Sequence, residues 1–278
     1  MLLICVALIS LLAGVSICLG CGAFMSMSWM WVLPVSFLGF LLGLLLILFL
    51  LLLYLCHRVD QNVPQEADSP FHRWFADQII AAALPVLQIH VKKSGLEKVP
   101  ASGRFMLVCN HCNDSDPIIL LNCLRKSQLA FISKRENSTM FVIGPMMHKL
   151  QCQLINREND REALKTILKC IQILKEDKAS IAVFPEGGIL SEDGKLHHFR
   201  PGVLKIAQKA KVPIVVCTLK NTKDVVRNLK RLKPSWVEMK VLDVIAAEEL
   251  EHVTTVDIAH RCYELMAADL GPELIAED

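Results

Sequence analysis

Met1 to Cys56 contains no Asp, Glu, Lys or Arg, and no other feature restricts the fold of this chain so much. A charge-free stretch of that length cannot keep a solvated surface, so its side chains must be buried in protein or in lipid. Leu2 to Leu19 is almost continuous hydrocarbon, Gly20 to Ser28 is a short uncharged linker, and Met30 to Tyr54 is a second apolar run long enough to cross a bilayer. The expected structure is a helical hairpin over residues 1–57, transmembrane or re-entrant. A cleaved secretory signal fits less well, because no basic segment precedes the first run and a second run follows it. Arg58, Arg73, Lys92 and Lys93 follow the second run, while the linker between the runs has no positive charge. The positive-inside rule then places the rest of the chain in the cytoplasm. The expected location is the cell membrane, with the large C-terminal part facing the cytoplasm and the bilayer as a partner.

Residues 58–91 read as a polar linker followed by an amphipathic helix at the membrane surface. Phe71, Trp74, Phe75, Ile79, Ala82, Ala83 and Val86 recur at helical spacing, with Arg73 off that stripe. The stripe suits either the headgroup region or a protein core. From 92 to 278 short apolar runs alternate with amphipathic helices. Strands are expected at Phe105 to Cys109, Leu129 to Ser133, Cys152 to Asn156, Ser180 to Phe184, Val212 to Leu219 and Trp236 to Ile245. Helices are expected over Asp160 to Lys175 and Pro201 to Ala210, and Thr254 with Asp257 resembles a capping box opening the last one. The fold class is α/β, a mostly parallel sheet flanked by helices.

Within that pattern Phe105 to Asp116, FMLVCNHCNDSD, is an apolar strand delivering polar residues to a sheet edge. His111 and Asp116 are spaced so that the carboxylate reaches one imidazole nitrogen and leaves the other free as a base. The competing reading is structural: Asp before Pro117 before an apolar run also describes a helix start. Ser180 to Gly188, SIAVFPEGG, repeats the strand-then-turn logic and puts Glu186 on the same edge as His111. A solvent-exposed turn glutamate is the alternative there. The formal net charge of +2 is too small to suggest nucleic acid. Eleven cysteines, an odd number with four inside Met1 to Cys56, do not read as a disulfide framework. Cys109 and Cys112 form a lone Cys-x-x-Cys, and no second pair at ligand spacing completes a metal site.

His111-x4-Asp116 preceded by Asn110, then Phe184-Pro185-Glu186-Gly187, then Val212-Pro213-Ile214-Val215, in that order, resemble the motifs of the glycerolipid acyltransferases. The 1-acylglycerol-3-phosphate acyltransferases are the most similar group, over about Gly95 to Thr222. The resemblance implies a glycerolipid acyltransferase fold with an N-terminal two-helix anchor. It also implies transfer of a fatty acyl group from acyl-CoA or acyl carrier protein to a lysophospholipid, without metal or bound cofactor. By the same resemblance His111 is the base and Asp116 its support, and Lys134 and Arg157 bind the acceptor phosphate. Glu186 and Gly187 belong to the acceptor pocket. The family usually has Thr and Arg after its Phe-Pro-Glu-Gly, whereas Gly188 and Ile189 stand here; Arg200 lies where a later basic residue would compensate. Lys220, Lys223, Arg227, Lys230, Arg231 and Lys233 form a basic stretch suited to anionic headgroups, CoA phosphates or an acidic carrier protein, or simply to a solvated face. An acyltransferase for another lysolipid, a thioesterase and a non-catalytic membrane-anchored lipid-binding protein remain as alternatives, although no Gly-x-Ser-x-Gly elbow is present.

Overall fold

A computed structural model describes residues 2–191 and 193–276, which fall into two compact units, Met1–Asp60 and Gln61–Asp278. In the first, helix α1 (Leu2–Gly20) and helix α2 (Trp29–His57) pack against each other. Gly14 permits the close approach: a Cβ there would stand 3.2 Å from Ser36 Oγ and 3.4 Å from the Phe37 backbone nitrogen. Ser10 and Ser36 donate their hydroxyls to the carbonyls of Val6 and Val32, four residues earlier, at 2.8 and 2.6 Å. These bonds satisfy the hydroxyls without water. Both helices are long and apolar enough to cross a membrane, and Leu8, Leu12, Leu42, Leu46 and Phe49 are exposed on them.

The second unit runs through α3 (Pro70–Val86), β1 (Ile89–Ser94), β2 (Met106–Cys109), α4 (Asp116–Cys123), β3 (Leu129–Lys134), α5 (Ile143–Lys149), β4 (Gln153–Ile155) and α6 (Asp160–Lys175). It continues with β5 (Ser180–Val183), α7 (Lys205–Ala210), β6 (Ile214–Lys220), α8 (Val225–Lys230), β7 (Ser235–Ile245) and α9 (Thr255–Leu270). The strands form one seven-stranded sheet in the order β1-β7-β6-β2-β5-β3-β4. Neighbours from β6 to β4 pair parallel, β7 runs antiparallel to β6, and β1 lies parallel to β7. A mostly parallel sheet between helices is thus the observed architecture, as expected.

All four residues of β2 and of β5 are buried, because helices cover both faces of the sheet. Alternate residues divide between two cores. Met106, Val108, Ile181, Val183, Ile214 and Val216 meet Cys170, Ile173 and Leu174 of α6 and Ile258 and Cys262 of α9. Leu107, Cys109, Ala182, Val215 and Cys217 meet Ile119 and Leu120 of α4 and Leu84 of α3. That division is the period of two in a strand expressed as packing.

Two features depart from the sequence pattern. The sheet takes up Ile89–Ser94, whose first three residues belong to the segment 58–91 expected to be linker and surface helix, with Ile89 opposite Ser235. On α3, Phe75 and Leu84 are buried, but Phe71, Trp74 and Val86 are exposed and Arg73 is buried. Arg73 is accommodated by two 2.7 Å bonds to the carboxylate of Asp68 and one of 2.9 Å to the Leu129 carbonyl. A buried guanidinium requires this saturation of its donors, and hydropathy periodicity does not see it.

Candidate active site

In a parallel sheet equal steps beyond paired residues arrive at one edge. Val108 of β2 lies opposite Val183 of β5, and three residues past each stand His111 and Glu186. Lys134 ends β3 and pairs with Ile155 of β4, two residues before Arg157. Four adjacent strands therefore bring His111, the Glu186-Gly187-Gly188 turn, Lys134 and Arg157 to the same carboxyl-end edge.

The His111 Nδ1 lies 2.9 Å from Asp116 Oδ2, with Asp116 fully buried and the imidazole partly open. The same Oδ2 accepts the backbone N–H groups of Cys112 and Asn113 at 2.8 and 2.9 Å, while Oδ1 is buried without a hydrogen bond. The chain between His111 and Asp116 thus folds around one carboxylate oxygen. Asp116 is the first residue of α4 and Pro117 the second, so a helix start and the carboxylate–imidazole contact coincide at this residue. Proline suits that position because no intrahelical bond is required of its nitrogen. With Nδ1 directed at the carboxylate, Nε2 carries the basic lone pair. The ring stacks on Phe184 with centroids 4.0 Å apart, which fixes its plane.

Neighbouring strands hold this loop from both sides. Asn110 donates to the Leu219 carbonyl at 2.9 Å and accepts the Leu219 N–H at 2.8 Å, tying the end of β2 to β6. Glu186, 2% exposed, accepts the His111 N–H on Oε1 at 2.8 Å and the His197 N–H on Oε2 at 3.0 Å. Both oxygens are engaged by backbone. Burial pushes its carboxyl up to about 7, against the two N–H bonds that favour the anion. The Cys112 thiol, donating to the Gly194 carbonyl, is pushed up to about 12 by burial and by the charges of Asp116 and Glu186. A thiol in that state is protonated and no nucleophile. Cys109 is buried in β2, and no group of three His, Cys, Asp or Glu side chains positioned to hold a metal occurs among the described residues.

The cations meet at the glycine turn. A Cβ on Gly188 would lie 3.3 Å from Arg157 Nη1 and 3.8 Å from Lys134 Nζ, and one on Gly187 would lie 2.8 Å from Arg200 Nε. Gly187 has φ 89, a backbone state that glycine adopts freely. Burial, and then the charge of Arg200, oppose the positive charge of Arg157. The structure thus brings together His111, Asp116, Lys134, Arg157, Glu186 and Gly187, gives the motif residues Asn110 and Phe184 their contacts, and adds His197. The contact through the His197 backbone left no signal in residue type. Of the basic stretch, Lys220 pairs with Asp269 at 3.1 Å and Arg227 with Asp224 at 2.8 Å.

Residues 90–220 match the family model described as Acyltransferase. Among curated relatives, a probable 1-acyl-sn-glycerol-3-phosphate acyltransferase of Mycoplasma pneumoniae is 33% identical over 147 residues, 51% of this chain and 53% of that protein. A chloroplastic 1-acyl-sn-glycerol-3-phosphate acyltransferase of Arabidopsis thaliana is 32% identical, over 55% of this chain and 42% of its own. One from Bacillus subtilis is 32% identical over 45% of this chain and 60% of its own. The chain spans about half the length of the curated relatives it matches. The crystal structure of the 1-acyl-sn-glycerophosphate acyltransferase PlsC from Thermotoga maritima superposes with a TM-score of 0.61 at 22% identity, covering 71% of this chain and 79% of that one. That likeness concerns the fold. The stretch that matches the family model, residues 90–220, holds His111, Asp116, Lys134, Arg157, Glu186 and Gly187.

Proposed function

We propose that the protein transfers a fatty acyl group from acyl-CoA or acyl carrier protein to the sn-2 hydroxyl of 1-acylglycerol-3-phosphate, forming phosphatidate. The single observation that carries this reading is the 2.9 Å bond between His111 Nδ1 and the buried carboxylate of Asp116. In the reaction His111 Nε2 takes the proton of the acceptor hydroxyl as that oxygen attacks the thioester carbonyl. The tetrahedral intermediate collapses with cleavage of the C–S bond, and the imidazolium returns its proton to the leaving thiolate. Asp116 holds the tautomer and stabilises the imidazolium. No acyl-enzyme forms, which agrees with a Cys112 thiol pushed up to about 12. Lys134 and Arg157, beside Gly188, hold the acceptor phosphate. The two apolar helices anchor the enzyme at the cell membrane, where the acceptor resides, with the α/β unit in the cytoplasm with the donor.

The names of the relatives supply the acceptor, and the order of the motifs along 90–220 supports carrying it over. The test measures thiol release and radiolabelled phosphatidate from purified full-length protein, 1-acylglycerol-3-phosphate and each donor. Wild type forms phosphatidate, and His111→Ala loses at least about 10²-fold of the rate, the ordinary contribution of a general base. Thiol release without acylated lipid would convert the reading to a thioesterase. Inactivity with both donors across lysolipids would leave a lipid-binding protein.

A further inference from the structure

Building on the acceptor site just proposed, we infer that Arg200 is the third cation of a phosphate site on the Gly187-Gly188 turn, selecting a phosphate monoester over a phosphate diester. All three cations lie where side chains on two consecutive glycines would stand: Arg200 near the Cβ position of Gly187, Arg157 and Lys134 near that of Gly188. None of the three side chains forms an ion pair or hydrogen bond among the described residues, and Glu136 is the one carboxylate whose charge favours that of Arg157. Elsewhere in the unit cations close to one another share an acid: Lys220 and Lys240 both pair with Asp269, at 3.1 and 2.6 Å. Arg157 and Arg200 instead repel each other across a turn without side chains, an arrangement that an anion would relieve.

The position of Arg200 is fixed by the fold. Its backbone N–H donates to the Pro185 carbonyl at 2.8 Å, Pro201 opens a 3-10 turn after it, and three residues earlier the His197 N–H is held by Glu186 at 3.0 Å. The loop after the turn thus returns a guanidinium to Gly187. A monoester phosphate carries about −1.5 to −2 at neutral pH and three free oxygens. A diester carries one negative charge and two such oxygens, so the third cation finds less to bind. A planar fork also gains two bonds from one phosphate, which an ammonium cannot do.

The experiment uses full-length protein in nanodiscs and Arg200→Gln and Arg200→Lys variants. Steady-state kinetics are measured with 1-acylglycerol-3-phosphate and with lysophosphatidylglycerol, and binding with glycerol 3-phosphate and inorganic phosphate. Arg200→Gln is expected to raise KM for the monoester on the order of 10-fold, with a smaller change in kcat, the loss of one charge-assisted hydrogen bond. Its preference for monoester over diester should narrow by a similar factor, and Arg200→Lys should restore part of it. Glycerol 3-phosphate should bind wild type more tightly than the Gln variant. Unchanged KM and unchanged preference in a variant with wild-type melting temperature would overturn the assignment, leaving acyl transfer standing. Equal binding of inorganic phosphate and glycerol 3-phosphate would also overturn it, marking a site for free anions. If wild type acylates no lysolipid yet binds glycerol 3-phosphate through Arg200, the acyl-transfer reading falls and the phosphate site stands.

Discussion

Asp116 Oδ2 receives three donors, the imidazole of His111 and the N–H groups of Cys112 and Asn113. Changing this one carboxylate should therefore alter tautomer and loop together. Asp116→Asn presents either an amide NH2 to those donors or a neutral oxygen. Acylation rate is expected to fall about 10²-fold or more, with KM for the acceptor moving less, since the loss falls on the transition state. Glu186 gives a prediction of a different kind. Its carboxyl, about 7 when folded, lies above the ordinary carboxylate value of about 4.3. The folded state therefore binds more protons than the unfolded one between those limits, and stability falls as pH rises through that window. Thermal unfolding of Glu186→Gln followed from pH 4.5 to 7 should lose that slope, and an unchanged slope would assign it to another group. The same carboxylate, once ionised, holds the backbone of His111, the base of the proposed reaction. Function and stability thus pull in opposite directions at this residue.

At the scale of elements, the site depends on how neighbouring strand ends are kept in step. The 3-10 turn at Arg135–Thr139 follows Lys134 and packs on α5, where a Cβ on Gly144 would come 2.0 Å from the Ser138 carbonyl oxygen. Gly144→Ala must separate the two and is expected to cost about 1–3 kcal/mol, read as a lower denaturation midpoint and a raised acceptor KM. Arg73 performs a similar task for α3, joining Asp68, the start of β3 at Leu129 and the end of α5 at Leu150. Removing it leaves Asp68 buried without its partner, and Arg73→Ala should destabilise the unit by about 3–5 kcal/mol in chemical denaturation. The capping box is smaller in scope: Thr254 and Asp257 bond reciprocally at the start of α9, and Thr254→Ala should cost about 1 kcal/mol.

For the whole molecule, all eleven cysteines are free thiols, so adding reductant should leave the thermal melting point of the full-length protein unchanged; a drop would expose a disulfide. The apolar hairpin, the alternation of strands and helices, the span of α6 and the His111–Asp116 pair were readable along the chain because each is written in local spacing. A period of two, a period of 3.6, a run without charge and a fixed separation between histidine and aspartate are all properties of neighbours in sequence. The buried face of α3, the entry of Ile89–Ser94 into the sheet and the Glu186 bridge to His111 and His197 were not. Each is decided by which segment arrives opposite another, and that depends on strand order and on satisfying buried donors and acceptors across separations such as the 75 residues between His111 and Glu186. The sequence by itself determined the apolar hairpin, the kind of sheet and the identity of the hydrogen-bonded His111–Asp116 pair. Tertiary structure alone decided that Arg157, Lys134 and Arg200 share one turn, because parallel pairing brings the ends of β3 and β4 beside that of β5 and the loop after β5 folds Arg200 back onto Gly187.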